Sequence, residues 1–302
     1  MSVTLTIGIT SRERPLALIR CLESMTALSH LSPEVLVFDD GSPVPVAEQL
    51  ASHSFAVPYR IIRDDSAPGN IVGRNRLMRE ASASRVLLLD DDAALIENGA
   101  VERALKVMDA DPRAAAIAFA QADRHGKPWD AAMQPSRSQE SCVIPAYIGF
   151  AHLLRRDIFL ELSGYRESFV FYGEEKDFCL RLIDAGYRTV YLPDALVVHD
   201  PDPGGRSKQR YLRYVTRNDC LHTLYNEPFT RAAWMVPARL VVYFRMRRLL
   251  KVSDRWGWLW IVREIAGNIG SILRDRRPVS RATVGHWKRL RHSPEPYRST
   301  SI

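Results

Sequence analysis

Val86-Leu87-Leu88-Leu89-Asp90-Asp91-Asp92 is a run of four apolar residues that ends at once in three carboxylates. A short, continuous apolar run of this kind reads as a strand buried on both faces. In open parallel α/β sheets ligands bind beyond the carboxyl ends of the strands, so the acids stand where a ligand is expected. Three adjacent aspartates repel one another unless a cation or solvent relieves them. Alternation along an extended chain sends the first and third, Asp90 and Asp92, to one side, where they can hold a divalent cation that bridges a diphosphate. The competing role is a solvated acidic turn or a helix N-cap before residues 93–97.

A second strand, Glu34-Val-Leu-Val-Phe-Asp39-Asp40-Gly41-Ser42, also ends in a carboxylate pair and a turn. Asp39 can accept a hydrogen bond from the ring imide N–H of uracil or thymine, a donor that cytosine and adenine lack there. It can equally serve as a turn residue with Gly41 and Ser42. Around these two runs, strands expected at 3–9, 35–38, 59–62 and 86–89 alternate with helices near 15–25, 44–51 and 70–83. That order implies a mostly parallel sheet covered on both faces.

A helix near 98–109 and a strand at 114–120 follow, and the alternation then breaks in a polar stretch, 121–140, with Gly126, Pro128 and Pro135. Beyond it come a strand at 142–148, helices at 156–162 and 174–185, and two short strands at 189–192 and 196–199. Glu174, Glu175 and Asp177 fall in the first turn of the second of these helices, where acids complement the helix dipole whatever their role. One of them could also take a proton from an acceptor hydroxyl. His199, at a strand end, reads equally as a core histidine or as a metal ligand.

The chain has 302 residues and a net charge of +7, which hides an asymmetry: residues 204–302 hold 21 of the 42 Lys+Arg but 6 of the 35 Asp+Glu. The division predicts two regions, 1–203 with acids gathered for metal chemistry and a basic, helical 204–302, joined at Asp200-Pro-Asp-Pro-Gly-Gly205. A helix at 239–250 with Trp256, Trp258 and Trp260 close behind combines cations with interfacial residues; it fits an anionic membrane surface or an ordinary helical cover. Four scattered cysteines without CxxC spacing read as reduced core thiols. With no leader-like start and no run of eighteen apolar residues, the expected location is the cytoplasm, with the inner face of the cell membrane as a peripheral site.

In their order these pieces resemble the large family two of inverting glycosyltransferases with the GT-A fold, over roughly residues 3–200. Ile7-Gly-Ile-Thr10-Ser-Arg-Glu-Arg14-Pro15 looks like the family's first strand and donor-contacting loop, which puts Thr10 and Arg14 at the donor. Asp39-Asp40-Gly41-Ser42 matches its nucleotide-binding turn, and Gly69-Asn70 with Gly73-Arg74-Asn75 its glycine-rich segment, where Arg74 approaches the nucleotide. Asp90-Asp91-Asp92 is similar to the DxD element, so the resemblance gives metal and donor contacts to this triplet. Ile148-Gly149-Phe150-Ala151 resembles the acceptor-side loop, and Gly173-Glu174-Glu175-Lys176-Asp177 the motif usually written GEDxD. By that alignment Glu175 is the catalytic base, with glutamate where aspartate is commoner; Asp177 is the reserve, and Glu174 is a loop-ordering residue on the acceptor side. His199 falls where members place a histidine that completes the metal shell.

What the resemblance implies is a Rossmann-like GT-A domain with a basic helical extension. Its activity would be a metal-assisted (Mn or Mg), inverting transfer of a hexosyl or deoxyhexosyl group from a UDP- or dTDP-sugar to a glycan, lipid-linked or small-molecule acceptor, in surface glycan synthesis. No nucleic acid is expected as a partner. Two alternatives stand beside it. A sugar nucleotidylyltransferase would want a glycine-rich basic loop after the first strand, where 7–15 has only Gly8; a non-catalytic nucleotide-sugar or polyanion binder would owe its function to the basic tail.

Overall fold

The computed structural model describes residues 3–201 and 207–298. The expected boundary between 203 and 204, with most of the Pro/Gly joint, lies outside them. Ten strands are found among the described residues: β1 (Thr6–Ser11), β2 (Glu34–Asp39), β3 (Tyr59–Arg63), β4 (Arg85–Asp90), β5 (Ala93–Ala94), β6 (Ala114–Ala122), β7 (Cys142–Ile144), β8 (Ala151–Arg155), β9 (Arg188–His199) and β10 (Glu295–Pro296). They form one mixed sheet in the order β10-β7-β9-β6-β8-β4-β1-β2-β3, with β5 paired to β9.

The parallel half is built from runs that are apolar on both faces. Leu5, Ile7 and Ile9 pack with Leu18, Cys21 and Leu22 of the helix Pro15–Ser24 on one side of the sheet. On the other, Leu36, Phe38, Val86 and Leu88 pack with Ile71, Leu77 and Met78 of the helix Asn70–Glu80. Burying each such side chain fully contributes about 1.5–3 kcal/mol. Gly73 lets that helix lie against the sheet, since a Cβ there would enter the Phe38 ring.

Two departures from the sequence expectations matter for the site. Residues 151–155 form β8, antiparallel between β4 and β6, and carry the 149–150 loop onto the end of β4. The two strands expected at 189–192 and 196–199 are one strand, β9, whose register against β6 jumps between Leu192 and Leu196. Pro193, within that jump, has no N–H for the ladder.

The basic region is helical, with helices at Lys208–Asn226, Phe229–Leu249, Gly257–Gly267, Ile269–Asp275 and Arg281–His292. Leu221, Tyr225 and Ile272 enter the core on the far side of the sheet, and β10 returns to pair antiparallel with β7. Among the described residues no helix is long and apolar enough to cross a membrane. All four cysteines are free and buried.

Candidate active site

In the register of β2, β1 and β4, Ser11 lies beside Asp39 and Thr10 beside Asp90, so the strand-end residues share one edge. Their side chains diverge from there. Asp39 is fully buried: Oδ1 accepts the Ser42 N–H at 2.9 Å, Oδ2 accepts the Val46 N–H at 3.0 Å, and Arg63 also bonds to Oδ2. Burial raises its pKa, but the N–H groups of Val46 and Ser42 outweigh this and hold it below the usual value. Asp39 is therefore the internal brace of its turn, with both carboxylate oxygens engaged. Asp40 accepts the Gly69 N–H at 2.8 Å through Oδ1.

The three aspartates at the end of β4 also separate. Asp90, the most exposed, pairs with Arg74 at 2.7 Å. Asp91 turns inward to the Ser11 hydroxyl at 2.8 Å and to Arg14, and burial pushes its pKa up to about 7 despite that arginine. Asp92 takes Arg14 Nη1 at 2.9 Å and lies 3.8 Å from His199 Nε2. Asp90 and Asp92 thus do not form, with His199, the ready-made trio expected from the sequence. No cluster of three His, Cys, Asp or Glu ligands occurs among the described residues, and the Arg74 guanidinium engages Asp90.

His199 is buried and its ring is held on both faces and at one nitrogen. Its ring lies between Phe150 and Trp129, with centroids 4.7 and 5.3 Å away. The Gln121 amide donates through Nε2 to the Met133 carbonyl, which turns Oε1 toward His199 Nδ1 at 2.6 Å. With Oε1 as its acceptor, Nδ1 carries the proton, and Nε2 is the ring nitrogen turned to the Asp92 side. An oxygen donor and a nitrogen donor facing one another suit a divalent cation. Gln121 and Trp129 were not singled out in the sequence; the available signal was a polar residue at the end of the apolar run 114–120 and a tryptophan in a polar loop. Phe150, expected on the acceptor side, is buried under His199, and its carbonyl accepts the Asp90 N–H at 2.9 Å.

Arg74 is buried and reaches Asp90 at 2.7 Å, the Gly149 carbonyl at 2.8 Å and Glu174 at 3.0 Å. It is an internal tie between β4, the 149–150 loop and the helix Glu174–Asp184, not an arm toward a nucleotide. Its neighbour Asn75 bonds the backbone of Tyr165 in both directions.

Glu175 stands partly exposed at the start of that helix, with Oε1 against Gly149. A methyl group at Gly149 would meet this oxygen and lie 3.0 Å from both Arg74 Nη atoms, so a larger residue there would displace the Glu175 carboxylate or the Arg74 guanidinium. Burial, with Asp90 adding repulsion, raises the Glu175 pKa against the pull of Arg74. Glu174 is buried and raised too, by desolvation and then by Glu175. Asp177 faces away: it is fully buried, paired with Arg181 at 2.9 Å and Arg166 at 3.3 Å, and bonded by Asn226 of the basic region. Its reserve role as a base is excluded by this burial, and its pKa is far below the usual range because the cations overcome desolvation.

The segment before Glu174 is strained. Val170 has φ 62° and ψ −47°, with the Phe171 N–H bonded to the Phe169 carbonyl at 2.6 Å: the rarer of the two γ-turn geometries, on a β-branched residue. Tyr172 and Gly173 also have positive φ, 68° and 86°. Such positions cost about 1–3 kcal/mol each at non-glycine residues and persist where the surroundings enforce them.

Residues 6–163 match the family model described as Glycosyl transferase family 2, and residues 85–264 match Glycosyl transferase family group 2. No curated protein sequence matches the chain. Among solved structures, the mannosyltransferase PcManGT from Pyrobaculum calidifontis, in complex with GDP-Man and Mn2+, is similar at a TM-score of 0.58 and 13% identity, covering 94% of this chain and 78% of that one. S. aureus TarS 1-349 gives 0.59 and 14%, covering 86% and 79%. GalNAc-T7 with UDP, GalNAc and Mn2+ gives 0.54 and 17%, covering 89% and 57%.

Proposed function

Because the chain belongs to glycosyl transferase family 2, we propose that it moves a sugar from a nucleoside diphosphate to an acceptor hydroxyl in one inverting displacement, with Glu175 as the base. The observation that carries this reading is the partly exposed Glu175 carboxylate on the Gly149 loop, at the sheet edge that also bears the Asp92–His199 pair. One base and no protein nucleophile suffice for a single displacement. Glu175 takes the acceptor proton, while Arg74 fixes the loop and helix start on either side of it. Asp92 and His199 would hold a divalent cation, Mn2+ or Mg2+, whose charge stabilises the leaving diphosphate when bound. Thr10 and Arg14 border the donor side. Membership of this family removes the support for a nucleotidylyltransferase.

The test is hydrolysis or transfer from a panel of UDP-, dTDP- and GDP-sugars with and without Mn2+. A UDP or dTDP donor is favoured on account of Asp40, which takes over the imide contact first assigned to Asp39. Asp40→Asn is expected to weaken UDP binding about ten- to hundredfold, the equivalent of one charged hydrogen bond. Asp39→Ala should instead lower stability by about 3–5 kcal/mol, because Arg63 and two N–H groups lose their acceptor. Calorimetry with UDP and CDP decides: equal wild-type affinities would remove the base contact altogether.

The acceptor is proposed to be met at an anionic membrane surface. On the helix Phe229–Leu249, Trp234 is 81% and Leu249 73% exposed, and Trp234, Ala238, Val241, Arg245 and Arg248 follow at helical spacing along one face. From residue 228 to 253 there are six Lys/Arg and no Asp/Glu. Arg231 and Arg239 pair with Glu227 and Asp219, but Arg245 and Arg248 are exposed beside the apolar residues, a combination that suits the interface of an anionic bilayer. The protein should sediment with phosphatidylglycerol vesicles and not with phosphatidylcholine vesicles, and Trp234→Ala with Arg245→Glu should abolish the difference. Equal sedimentation with both lipids would leave the helix as a plain cover.

A further inference from the structure

The helix Lys208–Asn226 belongs to the basic region, yet two of its buried residues close on the segment that leads into Glu175. Asn218 Nδ2 lies 2.9 Å from the Phe169 carbonyl, 2.7 Å from that of Phe171 and 2.6 Å from that of Tyr172. Arg217 Nη1 donates to the Ser168 carbonyl at 2.8 Å and to Asn218 Oδ1 at 2.7 Å. The second of these bonds orients the amide. With Oδ1 committed to an arginine donor, Nδ2 must face the carbonyls, and its two hydrogens are shared among three acceptors.

Those carbonyls belong to the segment whose backbone is strained at Val170, Tyr172 and Gly173. A γ-turn on a β-branched residue does not hold itself; something must over-determine it. Side chains of the same helix line the segment's outer face: the Arg210 guanidinium lies 4.7 Å from the Phe171 ring centre, and the Tyr211 ring 5.2 Å from that of Tyr172. Arg217 itself is fixed by Glu264 at 3.4 Å, from the next layer of helices. The chain of contacts therefore runs from the extension, through Arg217 and Asn218, to the residue that precedes Gly173-Glu174-Glu175.

We propose that Asn218 and Arg217 are positioning residues of the transfer reaction, holding segment 169–173 in its strained form so that Glu175 meets the acceptor. Resting on Glu175 as the base, this makes the basic helical region part of the working site as well as a cover. Neither residue touches donor or acceptor; both act through the loop.

Asn218→Asp keeps the size of the side chain but replaces two N–H donors by an oxygen that faces three carbonyls. Turnover is expected to fall about ten- to a hundredfold, the effect of a misplacement near 1 Å, while affinity for UDP with Mn2+ stays within about twofold. Amide hydrogen exchange in 169–175 should quicken while the sheet strands keep their protection. Asn218→Gln, which retains the amide, should recover part of the loss, and Asn218→Ser, with one donor, takes the place of Asn218→Asp if that variant does not fold. A folded variant with normal turnover, or with unchanged exchange in 169–175, overturns the proposal. Glu175→Gln measured alongside separates the two readings: if it loses turnover and Asn218→Asp does not, only the clamp fails. If Glu175→Gln keeps turnover, the base assignment fails and the clamp's role with it.

Discussion

Glu175→Gln is expected to lower turnover by roughly 10²–10⁴-fold while leaving UDP affinity within a small factor, because the amide fills the same space and cannot accept a proton. The Gly149 surface and Arg74 remain, so the loop keeps its shape. The environment of Glu175 adds a second signature. A free glutamate has a pKa near 4.3, and the bare sequence gave no reason to expect otherwise; burial and Asp90 raise it here. A base works only when ionised, so activity rises with pH through this raised value, and the acid limb of the wild-type profile lies above the ordinary glutamate range. The variant should lose that limb. A pH–rate profile of both proteins checks it, and an unchanged limb in Glu175→Gln would give the base to another group.

Asp92→Ala is expected to abolish transfer together with the effect of Mn2+ on UDP binding. The Asp92–His199 pair would lose its carboxylate, while Gln121, Phe150 and Trp129 would still hold the imidazole in place. Since Asp92 lies in a turn beyond β4 and its backbone ties survive, such as its carbonyl to the Asp200 N–H at 2.9 Å, the fold should persist. Mn2+ titration followed by electron paramagnetic resonance reads the loss without any turnover. Wild-type activity that is indifferent to chelator would remove the cation from the mechanism.

The parallel half of the sheet was legible because its evidence is local: Val86–Leu89 and Val35–Phe38 are apolar on both faces and punctuated by acids. Strand-end position also singled out Asp90, Asp92 and His199, of which the structure brings Asp92 and His199 to 3.8 Å. What it could not supply was direction. Asp39 and Asp40 are neighbours with the same chemistry, yet Arg63, 24 residues later, draws the first inward. Asp177 was a plausible base until Arg166, Arg181 and Asn226 were seen to enclose it. Residues 151–155 escaped notice as a strand because they run without a turn signal into the helix Arg156–Glu161. Asn218 carried no signal at all, since its three acceptors are backbone atoms more than forty residues away.

The pairing of β10 with β7 also orders events during synthesis. Cys142 meets Pro296, about 150 residues later, and a ribosome supplies the chain from its amino end. Until residue 295 emerges, the outer edge of β7 offers unpaired N–H and C=O groups, a template on which a nascent neighbour could add a strand. The late strand fills that edge and, with a proline that has no donor, gives the next chain little to pair with. How long that edge stays open during synthesis is therefore set by residues 295–296, far in sequence from the acids that end β2 and β4.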